Sequence, residues 1–136
     1  MTTDESAGPL RVSILAHGSY LIASVHTALD DAEFERFRRD LIEQVGQRRA
    51  RGVIIDVAAL DVLDSFGSRT LRELGDMARL RGAETVVVGI QPDVAYAMVR
   101  FGITLEELHT ALDLEEGLAL LDRLGETAGP PRRAGR

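Results

Sequence analysis

Apolar and polar residues alternate from Arg11 to Ala16 and again from Tyr20 to Val25, which predicts two strands joined through His17-Gly18-Ser19 as an opening hairpin. The period then changes. Phe34, Phe37, Leu41, Ile42 and Val45 recur at helical spacing behind Asp30 and Glu33, a capping-box pair, so a first helix is expected to run to about Arg49. Val53 to Val57 is a short apolar run with one Asp inside it, as in a strand covered on both faces. An acidic loop reaches Asp64, and a second helix is predicted from Phe66 to Arg81. Leu71, Leu74, Met77 and Ala78 form its apolar stripe, Arg69, Arg72, Glu73, Asp76 and Arg79 face the other way, and Gly82 supplies the stop. Thr85 to Ile90 reads as the next buried strand. Pro92 then opens a helix carrying Val94, Ala95, Met98 and Val99 before Gly102, and Asp113 with Glu116 caps a last helix through Leu124.

Strands that alternate with helices require parallel pairing through right-handed crossovers, and the hairpin adds one antiparallel pair. The expected fold class is α/β, a mixed, mostly parallel sheet with an opening hairpin and about four helices. Residues 10–124 read as one domain without internal repeats. Residues 1–9 are expected to be a flexible N-terminus, and residues 125–136, rich in Gly, Pro, Ala and Arg, a disordered tail.

Composition narrows the chemistry. At 136 residues, 45% hydrophobic and 28% charged, the chain is the size of one domain able to bury a proper core. All 16 basic residues are Arg, and Cys is absent. There is thus no Walker A lysine, no Schiff base, no thiol nucleophile, no disulfide and no zinc-thiolate site. The net charge of −6 repels phosphate backbones and anionic membranes, so neither nucleic acid nor a membrane is an expected partner. The acidic start, with no apolar run of membrane length, points to a cytoplasmic soluble protein.

Several candidate sites have plain structural explanations. Asp56, near the end of a buried strand, resembles a receiver-domain phosphoacceptor in position only, because the acidic pair and the Lys that such chemistry needs are missing. Its expected role is to bond backbone N–H groups of the following loop. No Gly-x-Ser-x-Gly frames Ser65 or Ser68 as a nucleophile. His17, His26 and His109, read as lying at a hairpin turn, a strand end and a loop, are scattered singly, so no metal site is expected. Gly18, Gly82, Gly89 and Gly102 read as turn and cap residues, with no dinucleotide fingerprint and no cofactor. Arg48, Arg49 and Arg51 read as a solvated helix end complementing the dipole.

Asp64 and Ser65 stand where the second helix begins, and either side chain can cap it. The positive helix end also tolerates a phosphate on Ser65, which would add about −1.5 to −2 charges at pH 7 beside Asp61 and Asp64. Physics alone leaves the serine as either a cap or a switch. Ser68 and Thr70 are further hydroxyls in the first turns, with Thr70 bordering the buried stripe and Ser68 expected to be more open.

Three segments in order resemble the STAS domain of anti-sigma-factor antagonists. They are Val53-Ile-Ile-Asp-Val with the loop to Leu63-Asp-Ser-Phe-Gly, then Gly89-Ile-Gln-Pro-Asp-Val-Ala, and then Gly102-Ile-Thr-Leu-Glu-Glu-Leu-His-Thr-Ala-Leu-Asp-Leu-Glu-Glu-Gly-Leu118. The likeness extends from about Leu10 to Leu124 and is greatest to the single-domain scaffold branch of the stressosome. It implies a non-catalytic regulator that co-assembles with paralogues carrying sensory domains and sequesters a serine kinase of the anti-sigma-factor type. It also implies that Ser65 is the phosphoacceptor, within a switch and partner surface of Asp61, Asp64, Ser65, Phe66, Ser68 and Arg69, and that ATP is brought by the kinase. Many anti-anti-sigma relatives have a second small hydroxyl residue where this chain has Phe66, a departure that agrees with the scaffold branch. The alternative within the family is a free antagonist that binds an anti-sigma kinase and liberates a sigma factor. A small hydrolase or phosphotransferase would need a pocket and an activated nucleophile, and the sequence offers neither.

Overall fold

The computed structural model describes residues 11–105 and 108–127. The elements follow in the order β1 (Val12–His17), β2 (Tyr20–Val25), α1 (Asp31–Arg48), β3 (Gly52–Asp56), α2 (Ser65–Leu80), β4 (Glu84–Val88), α3 (Pro92–Arg100), β5 (His109–Ala111) and α4 (Leu114–Thr127). They form one five-stranded sheet in the order β1-β2-β3-β4-β5, antiparallel only between β1 and β2. Because each parallel strand is added on the same side of the last, right-handed crossovers place the connecting helices on one face of the sheet.

That face holds the larger core. Leu21, Ala23 and Val25 of β2, Val53 and Ile55 of β3 and Val87 of β4 meet Phe34, Phe37, Leu41 and Val45 of α1 and Leu71, Leu74 and Ala78 of α2. The alternate residues Ile54, Val86 and Val88 point to the opposite face, where Leu121 of α4 covers them. Residue alternation thus loads both faces of the middle strands, as their unbroken apolar runs predict. α1 starts as its sequence indicates: Asp30 Oδ1 accepts from Glu33 N at 2.8 Å and Glu33 Oε1 accepts from Asp30 N at 2.9 Å.

The structure corrects several expectations. His109 lies in β5, a strand that the sequence pattern hid, because three residues on a sheet edge have no room for a period. The last helix begins behind Asp113, whose Oδ1 accepts from Glu116 N at 2.9 Å, but it continues past Leu124 to Thr127, so the first three residues assigned to the tail are helical. Residues 1–10 and 128–136 lie outside the described residues. Met77 is 39% exposed instead of buried, since the inward face of α2 is turned towards Gly67, Ser68 and Gly75. In α3 only Val94 and Met98 are buried, while Ala95 and Val99 face outwards, because the short helix meets the core along a single edge.

One polar contact ties α4 to the sheet. The Tyr20 hydroxyl, at the start of β2, donates to Asp122 Oδ1 at 2.5 Å. Burial, followed by this hydrogen bond and the charge of Asp122, pushes the phenol from 10.0 up to about 12. Since the folded value lies above the unfolded one, the associated stability is complete below pH 10.0 and is lost as the pH rises towards about 12. Chemical unfolding followed across that window should show stability falling in the wild type and a flatter profile in Tyr20→Phe. Equal pH slopes for the two proteins would contradict this assignment.

Candidate functional site

The loops at the C-terminal ends of β3 and β4 build the site, on the carboxyl side of the sheet, where open α/β proteins commonly meet ligands. In the β3–α2 loop, Val57, Leu60 and Leu63 are buried, while Asp61, Val62 and Asp64 are exposed. Apolar anchors therefore fix the loop and turn its acidic residues outwards. Asp56 Oδ1 accepts from Ala58 N at 2.9 Å, the loop-bonding role read from its position. Gln91 Nε2 donates to Ala58 O at 2.7 Å from the neighbouring β4–α3 loop. Gly89, at φ +82°, passes so close that a Cβ there would lie 2.9 Å from Ala58 Cβ. The Gly-Ile-Gln-Pro segment is thus the brace of the loop that leads to Ser65.

Asp64 is the N-cap of α2, in extended backbone, with Oδ1 accepting from Gly67 N at 2.8 Å. Because Asp64 does the capping, the Ser65 hydroxyl stays exposed at the first helical position, with no side-chain hydrogen bond among the described residues. Gly67 allows close packing at this helix start, since a Cβ there would meet Phe34 Cε2 of α1 at 2.9 Å. Phe66 is half-buried, and the Arg69 guanidinium carbon lies 5.9 Å from its ring centre.

Asp61, Asp64, Ser65, Phe66 and Arg69 therefore share one end of the domain, but Ser68 does not join them at the surface. It is 2% exposed, and its Oγ has no hydrogen-bond partner among the described residues. Sequence spacing centred the buried stripe on large apolar residues, whereas the small residues Gly67, Ser68 and Gly75 mark where α2 approaches its neighbours most closely. Thr70 is buried as well, with Oγ1 donating to Phe66 O at 2.9 Å. Of the three hydroxyls in the first turns of α2, Ser65 alone is open to a macromolecular partner.

Between this loop and α3 runs a groove of about 540 Å³, lined by Asp61, Val62, Leu63, Asp64, Ser65, Asp93, Val94, Ala97, Phe101 and Ile103. Val62 and Phe101, 69% and 72% exposed, are the large apolar side chains most open along this groove. Sequence reading does not pick out Phe101, Gln91 or Asp93, because they come near Ser65 only through the crossover that brings β4 beside β3, nor Val62, whose exposure within the acidic loop has no local sequence signal.

Elsewhere the histidines stay apart. His17 ends β1, His26 Nε2 lies 3.0 Å from Ser13 Oγ, and His109 Nε2 lies 3.2 Å from Glu84 Oε1. Among the described residues, no group of three or more His, Cys, Asp or Glu is placed to hold a metal ion, and no helix is long and apolar enough to cross a membrane.

Comparison with known proteins gives a consistent result. The STAS domain pattern matches residues 11–117. A serine-to-glutamate variant of RsbS from Moorella thermoacetica superposes with a TM-score of 0.74 at 33% identity, covering 86% of this chain and 99% of that one. A chain from the molecular architecture of the stressosome, described as a signal integration and transduction hub, is 31% identical with a TM-score of 0.67, covering 83% of this chain and 98% of its own. The RsbT co-antagonist protein RsbRA of Bacillus subtilis (strain 168) is 28% identical over 90 residues, 66% of this chain. This chain spans 33% of the length of RsbRA and 28% of that of a second co-antagonist, RsbRD.

Proposed function

The chain belongs to the STAS domain family, and from that premise we propose that it is a non-catalytic scaffold of a stressosome-type assembly that holds a serine kinase and releases it when Ser65 is phosphorylated. The observation that carries this reading is the placement of Ser65, an exposed hydroxyl directly after the capping Asp64 on the rim of an apolar groove. The likeness to RsbS and to a stressosome chain over more than four-fifths of the sequence supports the scaffold role.

The geometry suits a binding switch. An unmodified groove edge offers Val62 and Phe101 to an apolar partner surface, and burying them there stabilises the complex. A phosphate on Ser65 leaves the helix intact, because the N-terminal dipole favours negative charge. It nevertheless places a dianion beside Asp61 and Asp64 at the groove, where a partner must strip it of water. The kinase is of the anti-sigma-factor type and supplies its own ATP. Paralogues with sensory domains and further copies of this chain complete the assembly, which works in the cytoplasm.

Size-exclusion chromatography of the protein with its paralogues and the serine kinase tests this reading. The kinase is expected to elute with a megadalton particle until Mg-ATP is added and to elute free afterwards, whereas Ser65→Ala retains it. A small complex with the kinase alone would favour the free antagonist instead, and a kinase position indifferent to ATP would overturn the switch.

A further inference from the structure

We propose that Arg69 is the internal receiver of a phosphate on Ser65 and that taking it up uncovers Phe66; this rests on the Ser65 reading above. Ser65 and Arg69 are four residues apart at the start of α2, so their Cβ atoms are neighbours on the helix surface, about 6 Å apart. Both are exposed. Other arginines of this region are already engaged: Arg38 pairs with Glu73, Arg11 pairs with Glu33, and Arg72 Nη1 reaches Thr104 O at 3.5 Å. Among the described residues Arg69 has no carboxylate partner, and its contact is the face of Phe66.

A guanidinium over one face of a half-buried ring is held weakly, whereas its planar fork makes strong, paired hydrogen bonds to a phosphate. The charged groups around Ser65 make the exchange favourable. Asp61 and Asp64 in the loop and Asp93 across the groove are all acidic, so the cation one turn along α2 is the group that offsets an added dianion. Once Arg69 turns to the phosphate, the Phe66 ring loses its cover. Phosphorylation then changes the partner surface in shape as well as in charge.

The test uses protein carrying phosphoserine at position 65 installed during synthesis, so that no kinase is involved. Titration followed by phosphorus NMR should place the second phosphate ionisation roughly 0.3 pH units higher in Arg69→Gln than in the parent, the shift expected for loss of a helical pair of this spacing. Arg69→Lys should recover part of the shift, and the Phe66 ring resonances should move on phosphorylation only when Arg69 is present. An unchanged phosphate midpoint in Arg69→Gln, or identical Phe66 shifts in both proteins, would overturn the proposal. A kinase that fails to modify Ser65 would refute the Ser65 reading and leave these titrations unaffected.

Discussion

Gly89→Ala is expected to destabilise the domain by about 3 kcal/mol, combining a left-handed backbone penalty of about 1 to 3 kcal/mol with an overpacking cost of similar size. Both parts are visible in the structure. The backbone at Gly89 has φ +82°, and an added Cβ would lie 2.9 Å from Ala58 Cβ and 3.2 Å from Ala58 Cα and N. The obstacle is a backbone segment, which cannot swing aside as the tip of a long side chain can. Urea unfolding should report the loss, with Tm lowered by about 10 °C for a domain of this size. Gln91→Ala, which removes one hydrogen bond to Ala58 O and leaves the backbone fit intact, should cost only about 1 kcal/mol. A Gly89→Ala protein within about 1 kcal/mol of wild type would mean that the β3–α2 loop yields easily, well below the cost such a fit implies.

Phosphate on Ser65 is expected to weaken kinase binding roughly a hundredfold, a loss of about 2.8 kcal/mol. Two effects act in the same direction. The dianion repels Asp61 and Asp64 and anything acidic brought against them, and docking over the groove forces it out of water. Capture by Arg69 offsets part of the charge but leaves the phosphate and its bulk at the interface. Calorimetric titration of the kinase against the two forms checks the ratio. Ser65→Ala should stay within about threefold of the unmodified protein, since one exposed hydroxyl contributes no more than a modest hydrogen bond. Equal Kd values for the modified and unmodified proteins would remove the basis of the switch.

Much of this architecture was legible in the sequence because the signals were local and redundant. Asp30 and Glu33 mark the start of α1 just ahead of its first buried Phe, and the observed reciprocal hydrogen bonds are those that the pair implies. The apolar runs of β3 and β4 foretold strands buried on both faces. What failed depended on tertiary contacts. β5 has three residues and acquires its identity from pairing with β4. Ser68 reads as an outward residue by its polarity, whereas its small size next to Gly67 and Gly75 on α2 suits the close packing that buries it. The acidic loop and Ser65 could be singled out, but the groove could not, because Val62 and Phe101 lie far apart in the chain and meet only through the sheet topology.

Mass-spectrometric mapping of phosphosites after incubation with the serine kinase and Mg-ATP tests whether Ser65 is the switch. A single phosphate is expected in α2, on Ser65, with Ser68 and Thr70 unmodified because both are 2% exposed. Absence of phosphate from Ser65, with the kinase active on another substrate, would rule out the switch and leave Ser65 an ordinary first residue of a helix that Asp64 caps.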